Sequence, residues 1–319
     1  MFPQQLTRIF GTKYPIVAGT MMNVSTPEFT AACSNAGILG TLHSVMHPKP
    51  DLLRAAIARV RELTDQPFAV NINLFPMLQP PNNSKLVRVA VEEGVPVIET
   101  SGHKAPTRLV PKIKQGGALW MHKCAGVRYA KTAEKLGADV VEVVGWENGG
   151  ATGRFDVGTL VLIPAVADAV DVPVVAGGGI ADGRGVAAAF CLGASGVLIG
   201  TRLMATEECP IHENVKRAWV DASIYDTTLV MRSLGATHRV WHNSAADRVL
   251  ELEASGAGEA EIFDAAAGRR ARKVYEEGDL QAGISSCGQA VGLVRDVVPV
   301  AQLVERMVTE AKEVLKRLA

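Results

Sequence analysis

The chain has 319 residues, 48% of them hydrophobic, a length that suits one barrel-sized domain with an appendage and a large buried core. Thirty-three basic residues balance thirty-three acidic ones, so no global charge draws the chain to nucleic acid or to an anionic membrane, and small-molecule chemistry is expected. The opening MFPQQLTRIFG lacks the charged flank and apolar run of a secretion signal, and no apolar run long enough to span a membrane follows. The five cysteines form neither a CxxC pair nor a zinc-spaced cluster, so a cytoplasmic protein with free thiols and no metal is expected.

From residue 14 to 201, short β-branched runs alternate with helical stretches. In chain order the runs are YPIVAG, ILGTL, PFAVNIN, VPVIET, ALWMHKC, ADVVEVV, VPVVAGG and SGVLIG. Each is nearly continuous in Val, Ile, Ala or Leu, as strands buried on both faces are. Gly37, Gly94, Gly117, Gly137 and Gly193 each precede a run, where a left-handed residue ends a helix. The helix after the first run has Ser25 and Thr26 as candidate caps, Pro27 at an early position and Glu28 in its first turn.

Eight such units predict an α/β chain folded as a (β/α)₈ TIM barrel over residues 1–204, in preference to a doubly wound open sheet. Residues 205–285, including ADRVLELEASG and EIFDAAAGRRARKVYEEG, are richer in charge and read as a helical insertion or subdomain. That segment is also a candidate interface for a homodimer. Residues 286–319 end in VAQLVERMVTEAKEVLKRLA, whose apolar positions recur at helical spacing and predict a closing helix packed on the barrel.

The segment 172–204 reads strand, triple glycine, helix, strand, Gly-Thr. In barrels, the loops after strands seven and eight aim backbone N–H groups at a phosphate, and glycine lets the chain approach its oxygens closely. The order GxGxxG of a Rossmann dinucleotide site is absent.

These residues, with PIVAGTM at 15–21, SNAGILGTL at 34–42, RELTDQPFAVNIN at 61–73, HKC at 122–124, AGGGIADGRG at 176–185, GTRLMATEECPIH at 200–212 and VMRSL at 230–234, carry a resemblance that runs nearly end to end. The chain resembles the nitronate monooxygenase (2-nitropropane dioxygenase) family, and within it the bacterial FMN-dependent NADH:quinone reductases. The resemblance implies FMN at the carboxyl ends of the strands, bordered by Thr20, Met21 and Met22 and hydrogen-bonded by Asn73. It places Lys123 near the ring or ribityl chain, Gly149 in the loop after strand six, and Gly177, Gly179, Gly200 and Thr201 around the phosphate. A cation at that ring edge would stabilise the anionic reduced flavin.

The family run G-x-E-x-x-G-H-x-G appears here as Gly145-Trp-Glu-Asn-Gly-Gly-Ala-Thr-Gly153, with Ala151 where the histidine is expected. Alanine cannot take a proton from a nitroalkane, whereas hydride transfer from a nicotinamide needs only alignment. The expected activity is therefore NAD(P)H-dependent reduction of a quinone or similar acceptor, with nitronate oxidation as the alternative. A flavin-free phosphate-binding lyase or isomerase and a non-catalytic relative are the remaining readings.

Substitute histidines at strand ends are His43, His103 and His122, and Glu147 is a proton handler if buried. Trp146, Phe75, Met46 and Met77 are expected around the substrate opening. Ser286 and Gln289 match a family segment folding over the site, and Cys287 between them lacks a neighbouring base that would activate it.

Overall fold

The computed structural model describes residues 2–318 apart from 76–79, 103 and 154; the sequence candidates Met77 and His103 lie outside the described residues. The strands in chain order are β1 (Ile16–Ala18), β2 (Gly40–His43), β3 (Phe68–Asn73), β4 (Val97–Ser101), β5 (Leu119–Cys124), β6 (Val140–Val144), β7 (Gly150–Ala151), β8 (Val174–Gly177), β9 (Gly196–Ile199), β10 (Thr227–Val230) and β11 (His238–Trp241). Eight of them form one parallel sheet in the order β1-β9-β8-β6-β5-β4-β3-β2. A parallel bridge from Val17 to Leu39 joins its two ends, so the sheet closes into the expected barrel.

Alternation along the strands divides the side chains between two cores. Val17, Leu39, Ala69, Val97, Met121, Val140, Val175 and Leu198 point inward, and Leu6 and Phe10 of the helix Gln5–Phe10 join the same cluster. Their neighbours in sequence, such as Ile16, Ile38, Ile98, Trp120 and Val141, point outward and pack under the surrounding helices. Each buried aliphatic side chain contributes roughly 1.5–3 kcal/mol relative to exposure, which is why these positions are held by apolar residues.

Local signals behave as their chemistry requires. Thr26 accepts a hydrogen bond from Phe29 N at 3.2 Å and caps the helix Pro27–Asn35, with Pro27 in its first turn. Ser25 caps nothing; its hydroxyl accepts from Met21 N at 3.0 Å and closes the turn after β1.

The segment after the barrel contains the expected helices, among them Ser244–Ala254 and Gly268–Glu277, together with a hairpin that local pattern did not announce. Strands β10 and β11 pair antiparallel, and β11 also pairs with β7, which lies in the loop after β6. This three-stranded sheet fastens the appended segment to the rim of the barrel. The last helix, Val300–Leu318, packs against the helices Gly183–Cys191 and Pro27–Asn35 on the barrel's outside.

Candidate functional site

Above the inward apolar layer, toward the carboxyl ends of the strands, the barrel interior becomes polar. Asn71, Glu99 and Glu142 are fully buried there. In parallel strands, residues in register share a face, which puts Asn71 beside Glu99 and Lys123 beside Glu142. Lys123 Nζ lies 2.7 Å from Glu99 Oε1. Thr20 Oγ1 donates to Glu99 Oε2 at 2.7 Å, and Asn71 Nδ2 donates to Glu99 Oε1 at 3.0 Å.

Burial by itself would push the Glu99 carboxyl up, yet the Lys123 charge and these donors hold it below the usual carboxylate range. Burial would likewise lower Lys123, but the Glu99 charge keeps it raised and protonated. Glu142 takes the opposite course: desolvation and the neighbouring Glu99 charge raise it well above 4.5. The interior therefore holds one paired anion and cation beside a carboxyl whose charged form burial disfavours.

The rim above this layer is built by glycine turns. Gly178 and Gly179 follow β8 with φ of 101° and 73°, a conformation that side chains other than glycine's rarely adopt. Pairing of β8 with β9 brings this turn beside Gly200 and Thr201, which open the short helix Thr201–Met204. Among the described residues, the backbone N–H groups of Gly179, Gly200 and Thr201 donate to no protein acceptor. A Cβ added at Gly200 would meet nothing closer than Met21 Sδ at 3.9 Å, so a group can approach its backbone on that side, although Gly19 N bonds the Ile199 carbonyl directly beside it. The helix Gly183–Cys191 offers no such donors at its start, since the Asp182 carboxylate accepts from Arg184 N and Gly185 N, and Glu310 accepts from Gly183 N.

A strap from the appended segment lies over this rim. Gly288 N donates to Thr201 Oγ1 at 2.9 Å, and Gln289 N donates to the Glu147 carbonyl at 3.0 Å. A Cβ at Gly149 would sit 2.7 Å from Gly288 N, so the β6 loop and the strap touch through glycine backbones. Cys287 is fully buried in the strap and desolvation raises its thiol well above 9, which leaves it inert as a nucleophile.

The remaining sequence candidates fall into distinct positions. Met22 is exposed beside Met21, and Asn73 Oδ1 accepts from Phe75 N at 3.2 Å at the end of β3. Gly177 is the last residue of β8, where a Cβ would lie 3.0 Å from Leu198 and Val144 side chains, so packing as well as ligand approach demands glycine there. His43 faces the interior near Lys123 and Glu99; its Nδ1 accepts from Val45 N at 3.2 Å, and burial together with the Lys123 charge lowers it to about 4. His122 points outward, is fully buried, and pairs its Nδ1 with Thr100 Oγ1 at 2.8 Å beneath Trp120, away from the rim. Glu147 is committed to structure: its carboxylate accepts from Thr159 N and Thr159 Oγ1, at 2.9 and 2.8 Å, and anchors the start of the helix Thr159–Ala167.

Trp146 stands at the rim between two guanidinium groups, with Arg232 5.2 Å and Arg239 5.4 Å from its ring centroid. Met46 is half-buried after β2. Ala151 lies in β7 directly opposite His238 of β11, and His238 Nε2 is 2.9 Å from Ser286 Oγ. Glu99, Glu142 and His238 escaped the sequence reading. The two glutamates left one signal, a carboxylate within the apolar runs VPVIET and ADVVEVV; His238 left none, because its position depends on a distant strand pairing.

This fold and rim define a barrel enzyme whose chemistry is carried at the carboxyl ends of its strands. The model of the nitronate monooxygenase family matches residues 3–310, and the chain belongs to that family. It is similar to a (3aS,4S,5R,7aS)-5-hydroxy-7a-methyl-1-oxo-octahydro-1H-indene-4-carboxyl-CoA dehydrogenase of Rhodococcus jostii, 32% identical over 96% of this chain and 95% of the relative. Among solved structures it is similar to FabK from Thermotoga maritima, with 38% identity, a TM-score of 0.92 and coverage of 98% and 97% of the two chains. A nitroalkane oxidase from Streptomyces ansochromogenes matches at 26% identity and a TM-score of 0.85, covering 98% of this chain and 99% of that one. The chain is an oxidoreductase enzyme acting on small molecules. Among the described residues no helix is long and apolar enough to cross a membrane, and no group of three or more His, Cys, Asp or Glu is arranged to hold a metal.

Proposed function

We propose that the protein is an FMN-dependent reductase that takes electrons from NADH or NADPH and delivers them to a quinone or a similar conjugated acceptor. The observation that carries this reading is the pair of adjacent glycine turns whose N–H groups at Gly179, Gly200 and Thr201 are, among the described residues, spent on no protein acceptor. Such a cradle suits a phosphate dianion, and the family makes FMN the phosphate-bearing group that belongs there. The Thr201 hydroxyl accepts from Gly288 N and keeps its own O–H to donate, so both the backbone N–H and the side chain of Thr201 can serve a phosphate.

FMN would supply two-electron chemistry between a nicotinamide and an acceptor. The protein's own part is to align and to exclude water. Met21 and Met22 offer an apolar border after β1, the strap Ser286–Gln289 covers one side, and Asn73 sits at the end of β3 for polar contact with the ring. Lys123 reaches this zone as half of an ion pair, so its field is largely cancelled by Glu99, and its main service is orientation within the pair.

Ala151 favours hydride chemistry over proton abstraction, because a methyl group there accepts no proton. Nitronate oxidation is the second reading, favoured by the family to which the chain belongs and by its similarity to a nitroalkane oxidase. Anaerobic mixing of the FMN-loaded protein with NADH and NADPH, followed by quinones, enones and alkyl nitronates as oxidants, separates the two. Rapid bleaching by a nicotinamide and reoxidation by quinone supports the first reading. Negligible bleaching by either nicotinamide, with fast oxygen consumption on a nitronate, overturns it.

A further inference from the structure

Ala151 of β7 and His238 of β11 are directly opposed in an antiparallel pair, so their side chains leave the small sheet on the same face with Cβ atoms about 4.5–5.5 Å apart. The imidazole therefore covers the ground that a longer side chain at 151 would occupy. A Cβ on Gly150 would lie 3.7 Å from His238 Cε1, from His238 Nε2 and from Ser286 Oγ, which places ring and hydroxyl together at the β6 loop. Ser286 opens the strap whose Gly288 is bonded to Thr201, so the pair stands at the border of the glycine cradle.

We propose that His238 hydrogen-bonds the oxygen of a conjugated carbonyl acceptor, presenting its Nδ1–H toward the substrate while the Ser286 hydroxyl holds Nε2. This deepens the reductase reading and rests on it. Burial lowers the imidazole to about 4, so the ring is neutral at pH 7 and carries one proton. A Ser286 O–H that donates to Nε2 leaves that proton on Nδ1, for which no hydrogen bond is found among the described residues. A neutral imidazole is a polarising donor for a carbonyl, and it is too weak an acid to surrender its proton outright.

The reaction balances without altering the histidine. A C–H bond of the reduced nicotinamide breaks and its hydrogen leaves with two electrons, so the nicotinamide is oxidised. The acceptor gains that hydride at one end of its conjugated system and loses one π bond net, negative charge gathers on the oxygen facing Nδ1–H, and a proton from water neutralises it. The histidine donor acts while that charge exists, where one preorganised hydrogen bond is worth about 10²-fold in rate.

The test combines His238→Ala, Ser286→Ala and the double variant His238→Ala/Ala151→His. Stopped-flow is expected to show reoxidation by a quinone slowed about 10²-fold in His238→Ala and about tenfold in Ser286→Ala, with flavin reduction by nicotinamide changed less than about threefold. The double variant is expected to regain at least about tenfold, since residue 151 shares the face of 238. Independently of turnover, the infrared carbonyl stretch of bound 2-cyclohexenone should lie at lower frequency in the unaltered protein than in His238→Ala. Equal reoxidation rates and equal carbonyl frequencies in the two proteins overturn the role of His238 alone, whereas a chain that binds no FMN overturns the reductase reading and this inference with it.

Discussion

Lys123 and Glu99 form an ion pair of 2.7 Å inside the barrel, with the Glu99 side chain wholly buried and the Lys123 side chain 16% exposed. A charge can sit at that depth only with its partner, and removing one partner is far worse than removing both. Lys123→Met is expected to cost about 3 kcal/mol of unfolding free energy, because Glu99 is then left uncompensated. Lys123→Met/Glu99→Gln should recover most of the loss, and chemical denaturation of the three proteins at pH 7 checks the order.

Stability should depend on pH through buried groups of opposite sign. Burial holds His43, His122 and His238 near 4 against 6.5 in the unfolded chain, so their contribution is complete above pH 6.5 and is lost as pH falls toward 4. Glu142 is raised by desolvation and by Glu99 above 4.5, so its contribution is complete below 4.5 and is lost as pH rises toward its folded value. Between pH 4.5 and 6.5 the lowered histidines, His47 included, outnumber the raised carboxyl, and each proton taken up is worth about 1.4 kcal/mol per pH unit. Unfolding free energy should therefore climb with pH in that window, and more steeply still in Glu142→Gln. Denaturant midpoints at pH 5 and 6.5 read both slopes.

Glu147 looks like a catalyst in sequence and like a helix anchor in structure. Glu147→Gln weakens its bonds to Thr159 and should cost about 1 kcal/mol in stability, with turnover on any accepted substrate held within about twofold. A large fall in turnover with an unchanged melting temperature would instead make the carboxylate chemical.

The two glycine turns differ in what a methyl group would meet. At Gly178, φ is 101° and a Cβ would lie 2.8 Å from Thr159 Oγ1 and 3.0 Å from Gly145 N, so Gly178→Ala should destabilise the apoprotein by about 1–3 kcal/mol. At Gly200 a Cβ meets only Met21 Sδ, at 3.9 Å, so Gly200→Ala should leave the apoprotein's melting temperature nearly unchanged while weakening FMN binding at least about tenfold. Thermal unfolding with and without FMN distinguishes the two effects.

The barrel was legible because its strands are buried on both faces and five of the helix-to-strand junctions carry glycine, so local pattern and global fold agree. The adjacency of the two glycine turns was legible for the same reason, since Gly177–Gly179 and Gly200–Thr201 end consecutive barrel strands. The hairpin of β10 and β11 was not, because THRVW and TTLV become strands by pairing with each other and with a two-residue strand far away in sequence. That non-local pairing also hid His238. The contact of Glu147 with Thr159 was not legible, because nothing local announces which residue the loop carboxylate meets. Nor was the pairing of Lys123, because its partner Glu99 lies on the neighbouring strand.

The central claim is that the turns after β8 and β9 grip a phosphate. Calorimetric titration of the apoprotein with FMN and with riboflavin, which differ only in that phosphate, tests it directly. Binding of one FMN per chain, with riboflavin at least about 10²-fold weaker, is the predicted result. Equal affinities for the two, or no binding of either, would contradict it.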